Sequence, residues 1–246
     1  ATIGKLNSDK SDYESLENVL CDCICVSGNW TPTVHLASQS GNKLKFDEKI
    51  DSFVPNQSHQ YETTVGSANG VFTLKQSLSD GFNKGYELSN KITGKNLKST
   101  TPTSNEKKYE QHNKFWCMPL PKNKHYKRFV DFQNDVAVSD IELAVREGFR
   151  SIEHVKRYTT LGMATDQGKT SNLNGLQLVS NIENKIVPEV GHTTFRPPYT
   201  PVTIGAIVGR EVGKHYRPTR KSPIHDWHEK NNAVFVDAGL WLRPRY

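Results

Sequence analysis

Residues 157–172 read RYTTLGMATDQGKTSN, and this stretch places a polar loop between two helical patterns. Residues 152–158 have the spacing of an amphipathic helix, and a further helical pattern begins near Ser171. The loop gathers hydroxyls, two glycines and a lysine. Backbone N–H groups at a helix start, beside hydroxyls and a cation, suit a phosphate group. The sequence therefore predicts an anion-binding loop within a helical region.

The loop does not have the spacing of a nucleotide-binding P-loop. That motif has four residues between its first glycine and its Gly-Lys-Ser/Thr, whereas five residues separate Gly162 from Gly168. A P-loop also follows a buried strand, whereas residues 152–158 predict a helix. We therefore predict an anion cradle of another kind.

The flanking sequence predicts a small unit of one strand and three helices. Residues 129–133 form the strand, and Ser139 with Glu142 has the spacing of a capping box at the first helix, which Gly148 ends. The second helix begins near Ser151 and the third near Ser171. The apolar residues of these helices are Ile141, Ala144, Val145, Ile152, Val155, Leu173, Leu176 and Val179.

The section up to about residue 82 predicts part of an α/β domain. Residues 19–27 predict a buried strand, and residues 46–48 and 52–55 predict two short ones. The first strand contains the alternating cysteines Cys21, Cys23 and Cys25. Side chains at i and i+2 of a strand lie about 6–7 Å apart, a poor geometry for disulfides. We therefore expect three buried thiols and a reducing compartment.

A second feature of this section is a turn rich in small residues. Residues 63–72 predict a strand that opens into a helix over residues 73–78. Such a turn can bring backbone amides close to a dinucleotide, and a turn without any ligand fits the spacing equally well. The candidate NAD-binding residues are Gly66, Ala68, Asn69 and Thr73.

Bulk composition limits the classes of function. The chain has 246 residues, 35% of them hydrophobic, a mean hydropathy of −0.66 and a net charge of +6. Residues 84–127 contain ten lysines and three glutamates, so the excess charge lies in one segment that predicts a solvated linker rather than a nucleic-acid surface. No window of 18 apolar residues and no signal pattern occurs, so we expect no membrane association and a cytoplasmic location.

The C-terminal part predicts extended structure and a new domain. Residues 193–202 are fixed by prolines and hold Arg196 in one place, and residues 205–212 predict a short helix or turn. His225 and His228 form a His-x-x-His pair. Without a third ligand such a pair is more often incidental than a metal site, so no metal is predicted.

Two sections resemble known domain types. GNWTP (28–32) and the turn at residues 66–69 resemble the later part of the second dinucleotide-binding unit of two-dinucleotide flavoprotein reductases, with one extra residue and without the Gly-x-Gly-x-x-Gly fingerprint. Residues 129–182 resemble the two-iron–two-sulfur domain of bacterioferritin-associated ferredoxin type. The positions of the four cluster cysteines are here Asp131, Gln133, Asp166 and Ser171. Because clusters of this kind need thiolates, no iron–sulfur cluster is expected.

Taken in order, four segments resemble the alpha subunit of heterotetrameric sarcosine oxidase. They are FVDFQNDV (129–136), RYTTLGMATDQGKTSN (157–172), TTFRPPYTP (193–201) and GLWLRPRY (239–246). The resemblance implies the middle portion of that subunit, starting after the glycine-rich fingerprint and stopping at the first strand of a folate-binding, aminomethyltransferase-like domain.

The resemblance implies a mixed α+β chain with five sections. These are residues 1–82, the C-terminal part of a dinucleotide-binding domain; 83–128, the lysine-rich linker; 129–182, a small helical ferredoxin-like domain; 183–225, an extended connecting segment; and 226–246, the start of the folate domain.

The resemblance also implies a flavin-dependent oxidoreductase that acts on the CH–NH group of sarcosine in one-carbon metabolism. Sarcosine, O₂ and tetrahydrofolate give glycine, methylenetetrahydrofolate and H₂O₂, with beta, gamma and delta subunits as partners. FAD in the beta subunit and tetrahydrofolate lie outside this chain, NAD is bound by the dinucleotide-binding domain, and FMN is shared between alpha and beta. The residues implied to contact FMN are Thr160, Gln167, Gly168, Lys169, Thr170, Ser171 and Arg196.

Two further hypotheses remain at this point. Lys169 could be merely solvated while the hydroxyls cap the third helix, so that the chain would be a non-catalytic scaffold that joins other subunits. A related complex could instead oxidise dimethylglycine, proline or another secondary amine. No catalytic residue is predicted within this chain, and alone it is expected to be inactive.

Overall fold

A computed structural model describes residues 1–25, 28, 30–95, 100–106, 115–120 and 126–246. The chain divides into two compact units, Ala1–Thr200 and Pro201–Tyr246. This division falls within the predicted connecting segment 183–225. No described helix is both long enough and apolar enough to cross a membrane.

The N-terminal part of the first unit consists of two antiparallel hairpins. Strand β1 (Thr2–Leu6) pairs with β2 (Tyr13–Asn18), and β3 (Lys43–Asp47) pairs with β4 (Ser52–Gln57). A short helix, α1 (His35–Gln39), precedes β3. The strands predicted at residues 46–48 and 52–55 are thus confirmed, as one hairpin whose Phe46 and Phe53 rings lie 5.3 Å apart.

The predicted cysteine strand is wrong. Residues 19–25 are not in a strand, and Cys21, Cys23 and Cys25 are exposed free thiols. Leu20 is 102% exposed. A strand buried on both faces needs neighbouring strands, and none of the described strands pairs with residues 19–25. The buried-thiol argument for a reducing compartment therefore loses its basis; residues 26 and 27 of the prediction lie outside the described residues.

Of the strand, turn and helix predicted at residues 63–78, the helix is confirmed and the strand is wrong. Residues 63–65 are not in a strand, and Gly66–Asn69 forms a 3-10 turn. Helix α2 (Leu74–Thr93) follows, with the Thr73 hydroxyl accepting a hydrogen bond from Gln76 N at 3.2 Å. The helix continues to Thr93, well beyond the predicted end, through Gly81 and Gly85 in its interior, and it ends at Gly94, which takes a left-handed conformation.

The predicted linker boundary at residues 82 and 83 falls inside α2 and is therefore wrong. The predicted linker also includes residues 115–120 and 126–128, whose side chains line an apolar cavity described below. Linker residues 96–99, 107–114 and 121–125 lie outside the described residues. The predicted mixed α+β character of the chain is confirmed, since helices and small sheets both occur. The parallel sheet of a partial α/β unit is not observed in the first unit, whose described sheets are three antiparallel pairs.

The core of the first unit lies in the region of residues 130–187, where the sequence predicts a strand and three helices around the loop. Strand β5 (Phe129–Asp131) pairs with β6 (Val136–Ala137). The helices that follow are α3 (Val138–Arg146), α4 (Ile152–Thr159), α5 (Asn172–Glu183) and the short α6 (Val187–Val190). Ile141, Ala144, Val155, Leu161 and Val179 are each 0% exposed. One strand and three helices were predicted here, and all four are confirmed.

The start of α3 differs from its prediction in one detail. Ala137, not Ser139, is the N-cap residue, and the carboxylate of Asp140 accepts a hydrogen bond from Ala137 N at 2.8 Å. Alanine has no side-chain acceptor, so only this half of a capping box can form. The shift arises because β6 leads directly into the helix, which leaves Ser139 inside the first turn.

The second unit contains a three-stranded sheet and two short helices. Helix α7 (Ile204–Val208) is followed by a 3-10 turn at Gly213–His215, β7 (Arg220–Lys221), α8 (His225–Lys230), β8 (Phe235–Ala238) and β9 (Trp241–Pro244). Strand β9 lies in the centre, parallel to β7 and antiparallel to β8.

Candidate functional site

The loop between α4 and α5 is held by residues in left-handed backbone conformations. These residues are Thr160 (φ 64°), Gly162 (φ 67°), Gln167 (φ 49°) and Gly168 (φ 71°). The side chain of Asn172, at the start of α5, fills the space between the two glycines, and a Cβ atom on either glycine would collide with it. Both positions therefore require glycine, for packing as well as for backbone freedom.

Three of the predicted site residues meet at the segment before residue 200. The Gln167 side-chain amide donates to Pro198 O, and its oxygen accepts from Arg196 N at 3.0 Å. Lys169 Nζ donates to Tyr199 O at 2.6 Å and lies 4.3 Å from the centre of the Tyr199 ring. The structure thus brings Gln167, Lys169 and Arg196 together, although 29 residues separate Gln167 from Arg196.

The remaining donors of the predicted cradle already have acceptors. Gly168 N donates to Asp166 Oδ1 at 3.0 Å, and the Thr170 hydroxyl donates to Asp166 Oδ2 at 3.0 Å. Ser171 is 1% exposed, and its hydroxyl donates to Asp131 Oδ2 at 3.4 Å. The Thr160 hydroxyl donates to Thr159 O at 2.6 Å. These groups shape the loop, and a bound anion would have to compete with carboxylates for Gly168, Thr170 and Ser171.

Further cations lie close to this group. The side chain of Lys156 is 16% exposed, and its Nζ donates to Thr194 O at 3.1 Å. Burial lowers the pKa of Lys156; Glu153 opposes that shift, and the charges of Arg157 and Arg196 add to it. Lys156, Arg157 and Arg196 thus lie near one another, and a cluster of cations is a surface on which an anion is stabilised.

His35 is a site residue that sequence reasoning missed. It is 3% exposed and stacks on Phe195 with ring centres 3.8 Å apart, while its Nε2 lies 3.0 Å from Gln167 O. Burial lowers the pKa of His35; the hydrogen bond to Gln167 O and the charge of Asp166 oppose that shift, and the charges of Lys169 and Lys156 add to it. With Nε2 donating to the carbonyl, Nδ1 is an acceptor, and it is buried without a partner. His35 lies 132 residues from Gln167, so no local spacing could reveal the contact.

A small cavity of about 50 Å³ lies beside these residues. Its lining includes both predicted and unpredicted site residues: His35, Gly168, Lys169, Asn172, Thr193 and Phe195. The Asn172 amide donates to Thr193 Oγ1 at 3.0 Å and to Gln167 O at 3.2 Å. The loop, α1 and residues 193–195 therefore form one connected polar site.

Asp131 joins the loop to the β5–β6 hairpin. It is 2% exposed, and its two carboxylate oxygens accept hydrogen bonds from Gln133 N at 3.0 Å and Gly162 N at 2.8 Å. Two longer bonds, from Asn134 N and the Ser171 hydroxyl, are both 3.4 Å. Two of the four positions that resemble cluster ligands, Asp131 and Ser171, are thus in direct contact.

The candidate NAD residues do not form a comparable site. Gly66 N donates to the Asp80 carboxylate at 2.8 Å, and Thr73 caps α2. Ala68 and Asn69 lie within the 3-10 turn. No described strand leads into this turn, so it lacks the strand from which a dinucleotide-binding loop projects its amides.

His225 and His228 do not belong together to any group of possible metal ligands among the described residues. Within the described residues, one group of three possible ligands has its ligand atoms within 4.8 Å of one another, namely His225, Asp226 and Glu229. His228 is not a member of it. Asp226 and Glu229 are exposed, and we assign no metal because exposed carboxylates commonly cluster without an ion.

A second cavity, of about 620 Å³, lies in the first unit and was not predicted. It is lined by the β1–β2 hairpin together with residues 115–120 and 126–130, many of them aromatic or apolar. Tyr13 donates to Pro119 O at 3.0 Å, and Arg128 Nη1 donates to Cys117 Sγ at 3.1 Å. Burial raises the pKa of the Cys117 thiol, which Arg128 partly offsets.

Comparison with known proteins identifies relatives along nearly the whole chain. Residues 125–210 match the sarcosine oxidase A3 domain family. Sarcosine oxidase subunit alpha of Rhizobium meliloti is 39% identical over 232 residues, which cover 94% of this chain and 23% of that protein. The subunits of Corynebacterium strains P-1 and U-96 are 35% and 36% identical over 92% of this chain. This chain thus spans about a quarter of the length of these relatives.

Among solved structures, the crystal structure of L-proline dehydrogenase from P. horikoshii covers 72% of this chain and 37% of its own, at 20% identity and a TM-score of 0.49. A likeness at that level does not bear on function. The sequence matches do establish relationship, because they are 35–39% identical along more than nine-tenths of the chain. The chain is therefore a homologue of the sarcosine oxidase alpha subunit over nearly all of its length.

Proposed function

We propose that this chain is the section of a sarcosine oxidase-type alpha subunit that supplies one side of an FMN site at an interface with a beta subunit. In the proposed reaction, sarcosine, O₂ and tetrahydrofolate give glycine, methylenetetrahydrofolate and H₂O₂. The observation that supports the FMN site most directly is the meeting of Lys169, Arg196 and Gln167 at one loop, within the segment that matches the A3 domain family.

The residues at this loop fit a phosphate only in part. Lys169, Arg196 and Lys156 supply positive charge, and Arg196 is exposed, so its guanidinium can reach a ligand. Charge-assisted hydrogen bonds from such groups are the strong kind. Ser171 is buried against Asp131 and does not fit as a direct contact, and Gly168 and Thr170 already donate to Asp166.

We therefore propose that the charged groups of Lys169 and Arg196 hold the phosphate, that Gln167 positions Arg196 by accepting a hydrogen bond from its backbone N–H, and that Thr160 lies at the edge of the site. Gly168, Thr170 and Ser171 would then act by shaping the loop. FMN, when bound, would supply electron-accepting chemistry. The role of this chain would be to fix the phosphate end of the flavin, and amine oxidation on FAD would belong to the beta subunit.

The test is co-expression of the chain with a beta-type partner, followed by measurement of FMN released from the purified complex by acid. Wild-type protein should give a yellow complex that contains FMN. The double variant Lys169→Ala, Arg196→Ala should contain less FMN than wild type, because two charge-assisted contacts disappear and FMN affinity falls by about ten-fold or more.

Arg150→Ala is the matched control, since the Arg150 side chain is 76% exposed and pairs with Glu183 away from the loop. It should leave the FMN content unchanged. Wild-type FMN content in the double variant would reject this site and would favour the second candidate.

The second candidate is a scaffold that joins other subunits, including gamma and delta, in this complex or in a related secondary-amine dehydrogenase that acts on dimethylglycine or proline. The occupied donors of Gly168, Thr170 and Ser171 favour it, since they show that the loop can satisfy itself without a ligand. NAD is not part of the proposal, because the Gly66 amide donates to Asp80 and no described strand precedes the turn.

A further inference from the structure

We propose that Asp131 is a positioning residue that holds residues 160–172 in the shape that binds the flavin phosphate. The inference rests on the proposed function, because it concerns the same loop. Asp131 does not itself face the phosphate, and its effect is transmitted through the backbone of Gly162 and the hydroxyl of Ser171.

The two carboxylate oxygens of Asp131 serve two different segments. Oδ1 accepts from Gln133 N and Asn134 N, both in the β5–β6 turn. Oδ2 accepts from Gly162 N, just after α4, and from the Ser171 hydroxyl, at the start of α5. One buried group therefore connects the hairpin to both ends of the loop.

The charge of Asp131 makes these bonds costly to lose. None of the ion pairs among the described residues includes Asp131, and the four groups that donate hydrogen bonds to it are all neutral. A buried carboxylate without a cation is tolerated only when hydrogen bonds replace its hydration. The loop cannot withdraw both Gly162 N and the Ser171 hydroxyl without leaving Oδ2 unsatisfied in a site that is 2% exposed.

Two further hydrogen bonds connect the hairpin and the loop at the surface, outside the buried Asp131 carboxylate. Asn134 Nδ2 donates to Thr160 O at 3.0 Å, and the Thr165 hydroxyl donates to Gln133 Oε1 at 3.0 Å. Both involve exposed positions, where water can replace the bond at little cost. Asp131 and Ser171 are also two of the four positions that resemble the cluster ligands of ferredoxins. Asp131 and Ser171 occupy positions where cluster cysteines would join the same two segments, and here hydrogen bonds make that connection.

The position of Lys169 depends on this connection. Lys169 lies between Gly168, which packs on Asn172, and Ser171, which is held by Asp131. Its Nζ reaches Tyr199 O, and Gln167 beside it binds Arg196 N. If the loop is released from Asp131, the Lys169 ammonium and the backbone of Arg196 are no longer held at one place, although both residues remain present.

The test uses Asp131→Asn in the complex with the beta-type partner, depleted of FMN and titrated separately with FMN and with riboflavin, which lacks the phosphate. The variant places an amide NH₂ against either the donors of the hairpin or those of the loop, so at least one buried donor loses its acceptor. We expect FMN affinity to fall about ten-fold or more and riboflavin affinity to change less than about two-fold. Asp135→Asn is the matched control, since Asp135 is exposed in the same turn at φ 53°, which asparagine also adopts.

Each result is decisive. If wild type prefers FMN and Asp131→Asn keeps the same preference, the positioning role is wrong while the FMN site stands. If the variant loses both flavins equally, Asp131 acts only on general stability and the inference also fails. If wild type itself shows no preference for FMN, the phosphate site fails and the inference fails with it. Should Asp131→Asn not fold, Ser171→Ala removes one of the two bonds to Oδ2 and is expected to lower FMN affinity two- to three-fold, by about 0.5 kcal/mol, without affecting riboflavin.

Discussion

At the scale of single residues, the site depends on partners that are distant in sequence. The hydroxyls, glycines and lysine of residues 157–172 could be recognised as a polar loop, because their types and spacing are local. Which donors remain open could not be predicted, since this depends on Asp131 and Asp166. His35 was missed altogether because it reaches Gln167 only through the fold.

His35 predicts a pH dependence of stability. Its pKa in the folded protein is lowered by burial from its ordinary value of 6.5. The unfolded chain therefore takes up a proton at higher pH than the folded chain, and the free energy of unfolding should fall as the pH drops below 6.5. Urea unfolding between pH of about 7.5 and about 5 measures this slope.

His35→Phe keeps an aromatic ring against Phe195 and should flatten this part of the pH profile. The exposed His59 provides the matched control, because His59→Gln should retain the wild-type slope. Equal slopes in wild type and His35→Phe would show that another group is responsible.

At the scale of secondary-structure elements, sequence patterns were most reliable where the helices pack on one another. The apolar stripe of α3 and those of α4 and α5 predicted their existence and their buried faces. The boundary of α3 was wrong by two residues because β6 continues directly into it. The strands predicted at residues 19–27 and 63–72 are not observed over the described part of these segments, because a strand forms beside a partner strand and no described strand pairs with either segment.

Ile141 on α3 should be a principal contributor to the stability of the helical core. Ile141→Ala removes a side chain that is 0% exposed and should cost about 2–4 kcal/mol of the free energy of unfolding. Ile182→Ala, on α5 and 38% exposed, should cost less than about 1 kcal/mol. Chemical denaturation of both variants measures the difference, and comparable losses would mean that α3 does not pack as described.

At the scale of the whole molecule, the homology extends along the chain while the proposed chemistry needs groups from other subunits. The relationship to the alpha subunit was predicted correctly, because it rested on four short sequence segments and not on the predicted strands and helices. It could not predict the two-unit division at Thr200, which depends on contacts rather than on composition. The proposed site contains residues that bind and position a ligand, and no amine-oxidising group is proposed within it.

The purified chain alone should therefore show no sarcosine-dependent formation of peroxide. The measurement is a peroxidase-coupled assay with and without sarcosine, and the complex with a beta-type partner is the positive control. Peroxide formation by the isolated polypeptide above the sarcosine-free blank would contradict the proposed division of roles.

The exposed segment at residues 19–25 has a practical consequence for experiments on assembly. Cys21, Cys23 and Cys25 are exposed, whereas Cys117 lies half-buried against Arg128 with a raised pKa. Thiolate availability and access govern alkylation. A maleimide dye would therefore label the N-terminal region selectively, far along the sequence from the loop proposed to bind the flavin. Shielding of these thiols by an added subunit could then be followed without altering any residue of the proposed site.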